Sequence, residues 1–233
     1  MPSIYLSPST QEYNLYYDGA GSEEYYMNLI ADAMEPYLTA SGIVFTRNTP
    51  DMTAASSIRA SNAGNYDAHV ALHSNAAPES LSGRLRGIDI YYYPGSERSH
   101  RLADDMVAQL RTIYPLPDLV RARPTTSIGE VSRTRAPAVL AELGYHDNPD
   151  DAAWVRGNIV PIARHLVMAL TNYFGIPFLE PEPILTATVD LNGGNLNIRA
   201  RPSLDAQIIG RAPPRAPVYL GGGRYRGLVI RLG

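Results

Sequence analysis

The residues best suited to chemistry fall in four short stretches: SPSTQE near the N-terminus, SEEYYMNLIADAM, DAHVALHSNA and APAVLAELGYHDN. Read as a strand, DAHVALHSNA puts His69, Ala71 and His73 on one side and Val70 and Leu72 on the other, because successive side chains alternate. His69 and His73 then lie roughly 13 Å apart along the strand, too far for one ion whose donors sit at about 2 Å. His73 ends the strand just before the polar pair Ser74–Asn75, where α/β sheets gather their ligands; His69 reads as a buried histidine satisfied by hydrogen bonds. In the second stretch Glu24 precedes Met27 by three residues and Ala31 by seven, which places it on the apolar stripe of a helix. A carboxylate there either complements the helix N-terminus or ligates a metal. In the fourth stretch Glu142 follows the apolar run Ala138–Ala141, and it is either an ordinary loop carboxylate or a general base and acid beside a metal site.

Elements able to position these groups alternate along the chain. The patterns predict strands at 3–6, 43–47, 68–73, 87–93 and 138–142, and helices near 22–41, 53–64, 99–114 and 150–174. Strands alternating with helices specify an α/β layer fold. The first helix has Ser22 as a candidate N-cap and Gly42 just past its end, with Met27, Ile30, Ala31, Met34 and Leu38 as its buried face; Pro36 is expected to kink it. The last has Asp150 as a candidate cap and a stripe running from Trp154 and Val155 to Leu170. Residues 176–185 hold three prolines and read as a stiff linker. The division expected is therefore 1–175, a linker at 176–185, and a small β-rich domain at 186–233.

Composition removes several function classes. The net charge of −3, with 20 basic residues that are all arginine, leaves no broad positive field for nucleic acid. The absence of cysteine excludes disulfides, thiolate metal sites and thiol nucleophiles. No apolar run is long enough to span a membrane, and Met1-Pro2-Ser3 leads directly into a strand with no export signal visible.

Taken together, a Glu on an early helix, HSNA after a strand and PAVLAELGY with an Asn beyond it resemble the zinc-dependent N-acetylmuramoyl-L-alanine amidases of the Amidase_3 type. SNAGNYDAHVALHSNA, with Asn62 and Asp67 in register, and GIDIYYYP followed by SHRLADDMVAQL extend the resemblance across roughly residues 3–175. It implies a mixed α/β sheet flanked by helices and cleavage of the bond between N-acetylmuramic acid and L-alanine in peptidoglycan. Zinc would be held by Glu24 and His73, with Glu142 as the catalytic glutamate and Asn75 orienting substrate. Two features depart from the family pattern. Ser57 stands where an Arg is frequent, and the first loop carries Ser9-Thr10-Gln11-Glu12 where the family keeps its first histidine ligand. The third donor expected is then Gln11, by its position, or His146, by its chemistry, since neutral imidazole is the better zinc ligand. A divergent branch with SPS.Q in this loop and HDN in the later turn is the one the chain resembles. The tail, with LNIRARPS and IIG, is similar to bacterial SH3-like modules but stops before their last strand.

The reading is thus a peptidoglycan amidase with a wall-binding module, of phage-lysin type given the missing export signal. The alternatives are a metal-free muropeptide-binding protein on the same fold and a metallopeptidase acting on the stem peptide.

Overall fold

A computed structural model describes residues 1–181, 185–188, 196–199, 207–212 and 217–220. The chain divides into two compact units, Met1–Glu180 and Pro181–Gly233. The first contains, in order, β1 (Ser3–Pro8), α1 (Glu23–Ala40), β2 (Val44–Arg47), α2 (Ala54–Ala63), β3 (Ala68–Asn75), β4 (Ile88–Tyr92), α3 (Glu97–Leu110), β5 (Val120–Pro124), α4 (Gly129–Ser132), β6 (Ala138–Tyr145), α5 (Pro149–Gly157) and α6 (Ile159–Phe174). Its strands form one six-stranded sheet in the order β2-β1-β3-β6-β4-β5. Strands β2, β1, β3 and β6 run parallel; β4 is antiparallel to β6 and parallel to β5. This is the mixed α/β sheet expected from the sequence.

The two faces of the sheet differ in chemistry because side chains alternate along each strand. One face carries Ile4, Leu6, Val70, Leu72, Val139, Ala141, Leu143, Ile88 and Ile90, none of them exposed, and it joins α1, α3 and α6 in the main core. The opposite face carries Tyr5, Ser7, His69, His73, Glu142 and Asp89. The register sets His73 beside Glu142, and Glu142 beside Asp89, in one row across β3, β6 and β4. Only a small apolar cluster, Ala71, Val131, Ala138 and Leu140, covers part of this face, beneath α4. Large hydrophobic burial on one side therefore holds a polar row in place on the other.

Several local expectations are corrected. The final helix is two helices, α5 and α6, that meet at Asn158, whose φ of −131° is not helical. The cap of α5 is Asn148, which accepts from the backbone N–H of Asp150 and Asp151, so Asp150 is not the cap. Strand β5 and the short α4 were not expected: VRARP offers only Val120 and Ala122 as apolar residues, and GEVS is a single turn. Helix α1 runs through Pro36. Residues 176–180, read as linker, belong to the first unit: Phe178 stacks on Tyr37 at 5.8 Å, Ser41 Oγ accepts from the Leu179 N–H at 3.1 Å, and Glu180 pairs with Arg164. None of the described helices is long and apolar enough to cross a membrane.

In the second unit β7 (Leu185–Thr188) pairs antiparallel with β10 (Pro217–Leu220), and β8 (Leu196–Arg199) with β9 (Ile208–Ala212). Of the SH3-like signature, Leu196–Arg199 and Ile208–Gly210 are described, whereas Ala200–Ser203 and the Gly227–Leu228 pair lie outside the described residues.

Candidate active site

The site forms where β1, β3 and β6 end together. Ser9, just past β1, donates its backbone N–H to Leu72 O at 2.8 Å, so the first loop leaves the sheet beside the end of β3. The loop then returns to the start of α1, where Asn14 O accepts the N–H of Glu23 at 2.8 Å. Ser22 caps the helix, its Oγ accepting from the Tyr25 N–H at 3.1 Å. Glu23 is thereby the first helical residue and its side chain turns inward.

Glu23, and not Glu24, is the helix carboxylate in contact with His73. Glu23 is 1% exposed, and its Oε1 lies 2.7 Å from His73 Nδ1. Its Oε2 accepts from Asn14 Nδ2 at 2.7 Å. Glu24 is partly exposed and accepts from Asn28 of its own helix at 3.3 Å. Burial by itself would raise the pKa of Glu23, but hydrogen bonding and the charge of His73, with Asn14 and Ser9, bring it below the usual carboxylate range.

The other ring nitrogen of His73 meets a residue that the sequence did not single out. His73 Nε2 is 3.3 Å from Glu130 Oε2, on α4. The other oxygen of Glu130 accepts from Ser7 Oγ at 2.6 Å and faces His69 Nε2 at 3.2 Å, while His69 Nδ1 meets Ser61 Oγ at 3.0 Å. His69 is the satisfied buried histidine that its position suggested, and through Glu130 it is tied to His73. Burial opposes charge on both members of this pair. Hydrogen bonds to Glu130 and Glu23 nevertheless push His73 up to about 10, and those from His69 and His73 pull Glu130 down to about 2. His73 is held between two carboxylates, one on each ring nitrogen.

Glu142 sits next to His73 in the row with one buried carboxylate oxygen, Oε2, that has no hydrogen-bond partner among the described residues. Its pKa rises to about 7, first from burial and then from the charges of Glu23 and Asp89, against the pull of His73. Within β6, three residues before its end, a carboxyl poised near neutrality has the properties of a general base; the strand-end position expected for Glu142 is corrected.

Gln11 reaches the same place. Its Nε2 lies 3.2 Å from Glu23 Oε1 and 3.3 Å from His73 Nδ1, while its Oε1 accepts from Tyr13 at 3.1 Å. His146 goes elsewhere: its Nδ1 bonds Ser74 Oγ at 3.1 Å and Ser74 O at 3.0 Å, and its ring stacks on Tyr16. Ser74 follows His73 on the strand and faces the other way. Asn75 uses its side-chain oxygen on the N–H of Ala76 at 2.9 Å. A cleft of about 290 Å³ opens onto His73 and Glu130, walled by Gln11, Tyr13, Asn48, Thr53 and Ser57. Its walls are mostly uncharged hydrogen-bonding groups.

Among the described residues no three His, Asp or Glu side chains converge as a metal-binding group. Glu23 and His73 supply two strong donors. With Gln11 they make a triangle of 2.7, 3.2 and 3.3 Å edges, close to the roughly 3.3 Å that separates donors around a tetrahedral zinc with bonds of about 2.0 Å. As placed, Gln11 turns its amide nitrogen to Glu23 and His73 and its oxygen to Tyr13, so it would complete a zinc donor set only with the amide turned over.

The family description N-acetylmuramoyl-L-alanine amidase, of the Amidase_3 type, matches residues 14–172. That span begins within the loop between β1 and α1 and leaves Gln11 outside it. No curated relative matches the chain. Among solved structures, the catalytic domain of CwlV, an N-acetylmuramoyl-L-alanine amidase from Bacillus (Paenibacillus) polymyxa var. colistinus, is 17% identical with a TM-score of 0.65, over 76% of this chain and 100% of that one. The N-acetylmuramoyl-L-alanine amidase of Clostridium difficile 630 is 15% identical with a TM-score of 0.66, over 75% and 97%. The N-acetylmuramyl-L-alanine amidase of Mycobacterium smegmatis is 18% identical with a TM-score of 0.64, again over 75% and 97%. At these identities the likeness shows a shared fold.

Proposed function

Because the chain belongs to the N-acetylmuramoyl-L-alanine amidase family, we propose that it hydrolyses the amide bond between N-acetylmuramic acid and L-alanine in peptidoglycan. The observation that carries this reading is Glu142: a buried, unpartnered carboxylate oxygen beside His73, with a pKa raised to about 7. It supports general-base hydrolysis, the chemistry that amide cleavage requires.

Glu142 takes the proton of the attacking water as its oxygen bonds the lactyl carbonyl carbon. The same carboxyl then delivers that proton to the alanine nitrogen as the C–N bond breaks. Glu23, His73 and Gln11 are the residues that would hold zinc, which supplies Lewis-acid polarisation of the scissile carbonyl. Tyr13 and the hydroxyl- and amide-lined cleft give an uncharged polar wall against which an acetamido sugar can lie. Pro181–Gly233 is proposed as an SH3-like module that holds the enzyme to the cell wall.

One observation favours a second reading. Both nitrogens of His73 already face carboxylates, and the third donor is a neutral amide. This would suit a muropeptide-binding protein that grips the same substrate without cutting it. Product analysis on purified cell walls separates the two. The amidase releases new alanine N-termini, leaves the glycan strands whole, and loses activity to a chelator. Walls that retain every amide while the protein stays bound would establish the binding protein instead.

A further inference from the structure

We infer that Arg123, held by Asp89, recognises a carboxylate on the peptide side of the scissile bond. The inference rests on the amidase reading above and gives the substrate a direction across the site. The row His73–Glu142–Asp89 continues onto β5, where Asp89 pairs with Arg121 and Tyr91 pairs with Arg123. Alternation sets Asp89, Tyr91, Arg121 and Arg123 on the polar face with Glu142. Asp89 is 7% exposed and accepts from Arg123 Nε at 2.5 Å. The two Nη groups of Arg123 have no hydrogen-bond partner among the described residues, and its side chain is 44% exposed. Arg121 is exposed and gives its Nε to the backbone oxygen of Asp118 at 3.2 Å. The phenols of Tyr91 and Tyr145 belong to the same patch, since the charges of Asp89, Glu142 and Arg123 reach both.

Glu142 therefore has unlike surroundings on its two sides. Toward β3 stand His73, with a carboxylate on each ring nitrogen, and a cleft whose walls are mostly uncharged. Toward β5 stand two guanidinium groups against one carboxylate, Asp89. The substrate is unlike at its ends as well. The sugar carries hydroxyls and an acetamido group, while its own carboxyl is tied up in the scissile amide. The peptide carries the free carboxylates. A carboxylate placed in the cleft would face Glu130, whereas one placed toward β5 meets the open Nη edge of Arg123. The sign of the charges favours the second placement, and a guanidinium can give two parallel N–H groups to one carboxylate.

Distance selects which carboxylate. Neighbouring strands lie about 4.8 Å apart, so β5 is roughly 10 Å from β6. Arg123 turns back to Asp89, which brings its guanidinium to the strand next to Glu142. Successive Cα atoms are about 3.8 Å apart, so a carboxylate on the residue that follows alanine spans this gap. Asp89 holds the guanidinium from its Nε side and leaves the Nη edge facing outward.

The test uses two soluble compounds that differ at one group: N-acetylmuramoyl-L-alanyl-D-glutamic acid and its α-amide. Parent, Arg123→Gln and Arg123→Lys are compared as the full chain. Hydrolysis is followed by release of the dipeptide, and binding of the same two compounds by calorimetry. The parent should favour the acid by about 5–10-fold, in KM and not in kcat, because the contact is the same in bound substrate and transition state. Arg123→Gln should bring the two compounds within two-fold of each other by losing on the acid alone. Arg123→Lys keeps the charge without the fork and should fall between. A structural defect lowers both compounds together; an acid-to-amide ratio unchanged by Arg123→Gln overturns the inference, as does a parent that does not prefer the acid. Circular dichroism melts report folding, and if the Gln variant does not fold, the Lys variant, still able to pair with Asp89, carries the same ratio test. If neither compound is cleaved but the acid binds more tightly and Arg123→Gln removes the difference, the amidase reading fails and the carboxylate site stands.

Discussion

Glu142→Gln tests whether the candidate base is stored in the folded protein at a cost. The carboxyl has an ordinary pKa near 4.5 and is raised to about 7 in the fold, with burial as the leading cause. The sign is that of an acid with an elevated pKa: the folded state holds its proton more tightly than the unfolded chain does. Stability from this group is fully present below pH 4.5 and is lost as pH rises through about 7. Integrating between those limits, the loss from pH 5 to pH 8 is about 2.5 kcal/mol at most, at about 1.4 kcal/mol per pK unit. The glutamine keeps the shape and removes the titration. Glu142→Gln should therefore gain on the parent as pH rises, by roughly 5–10 °C in Tm between pH 5 and pH 8 for a unit of this size. The assay is a thermal melt of Met1–Glu180 in chelator, read at half-unit pH steps. Other buried groups, including His73 and Glu130, are common to both proteins and largely cancel in the difference. A Tm difference that stays flat across this window would refute the argument that Glu142 is held ionised against its environment.

The remaining expectations concern the reaction, the donor set and the boundary. Glu142→Ala should lower turnover by about 10²–10⁴-fold with zinc content unchanged, and in the parent kcat/KM should fall as pH drops through about 7, because the base must be ionised; activity within a few-fold of the parent would remove Glu142 from the mechanism. Gln11→Ala should lose most bound zinc in dialysis against a weak chelator, Gln11→His should bind it more tightly, and His146→Ala should hold it like the parent; zinc lost from the His146 variant alone would reverse the donor assignment. A chain cut after Glu180 should melt like the parent's first unit, whereas a cut after Gly175 removes the Phe178, Leu179 and Glu180 contacts and should cost about 1–2 kcal/mol; equal melts would restore 176–180 to the linker.

How far the sequence reached can be judged from two glutamates. The fold was legible because its determinants are local: β3 sets its two histidines on one side, β6 opens with a short apolar run, Ser22 caps α1 as its type predicts, and the apolar stripes of α1 and α6 mark the buried side. Counting back from Met27 and Ala31 alone favours Glu24 over Glu23. At about 100° per residue, Glu23 lies within roughly 40° of Met27, Ile30 and Met34, while Glu24 stands some 60–120° from them. The whole stripe, averaged, points to Glu23, so that information was in the sequence and was read from too few positions. Glu130 is different. Its partners Ser7, His69 and His73 lie 123, 61 and 57 residues away in the chain, and they meet only because β1 and β3 are neighbours and the Glu130 side chain reaches both from α4. No period or spacing within SIGEVSR encodes that meeting. Gln11 lies between these cases: its position in the first loop identified it, but its convergence with Glu23 and His73 depends on a return path through Asn14 and Ser22 that only the folded loop provides. The pattern has a physical reason. Elements are specified by neighbours in sequence, whereas this site is a row across strands, and a row is assembled from residues that share nothing along the chain except their height in the sheet.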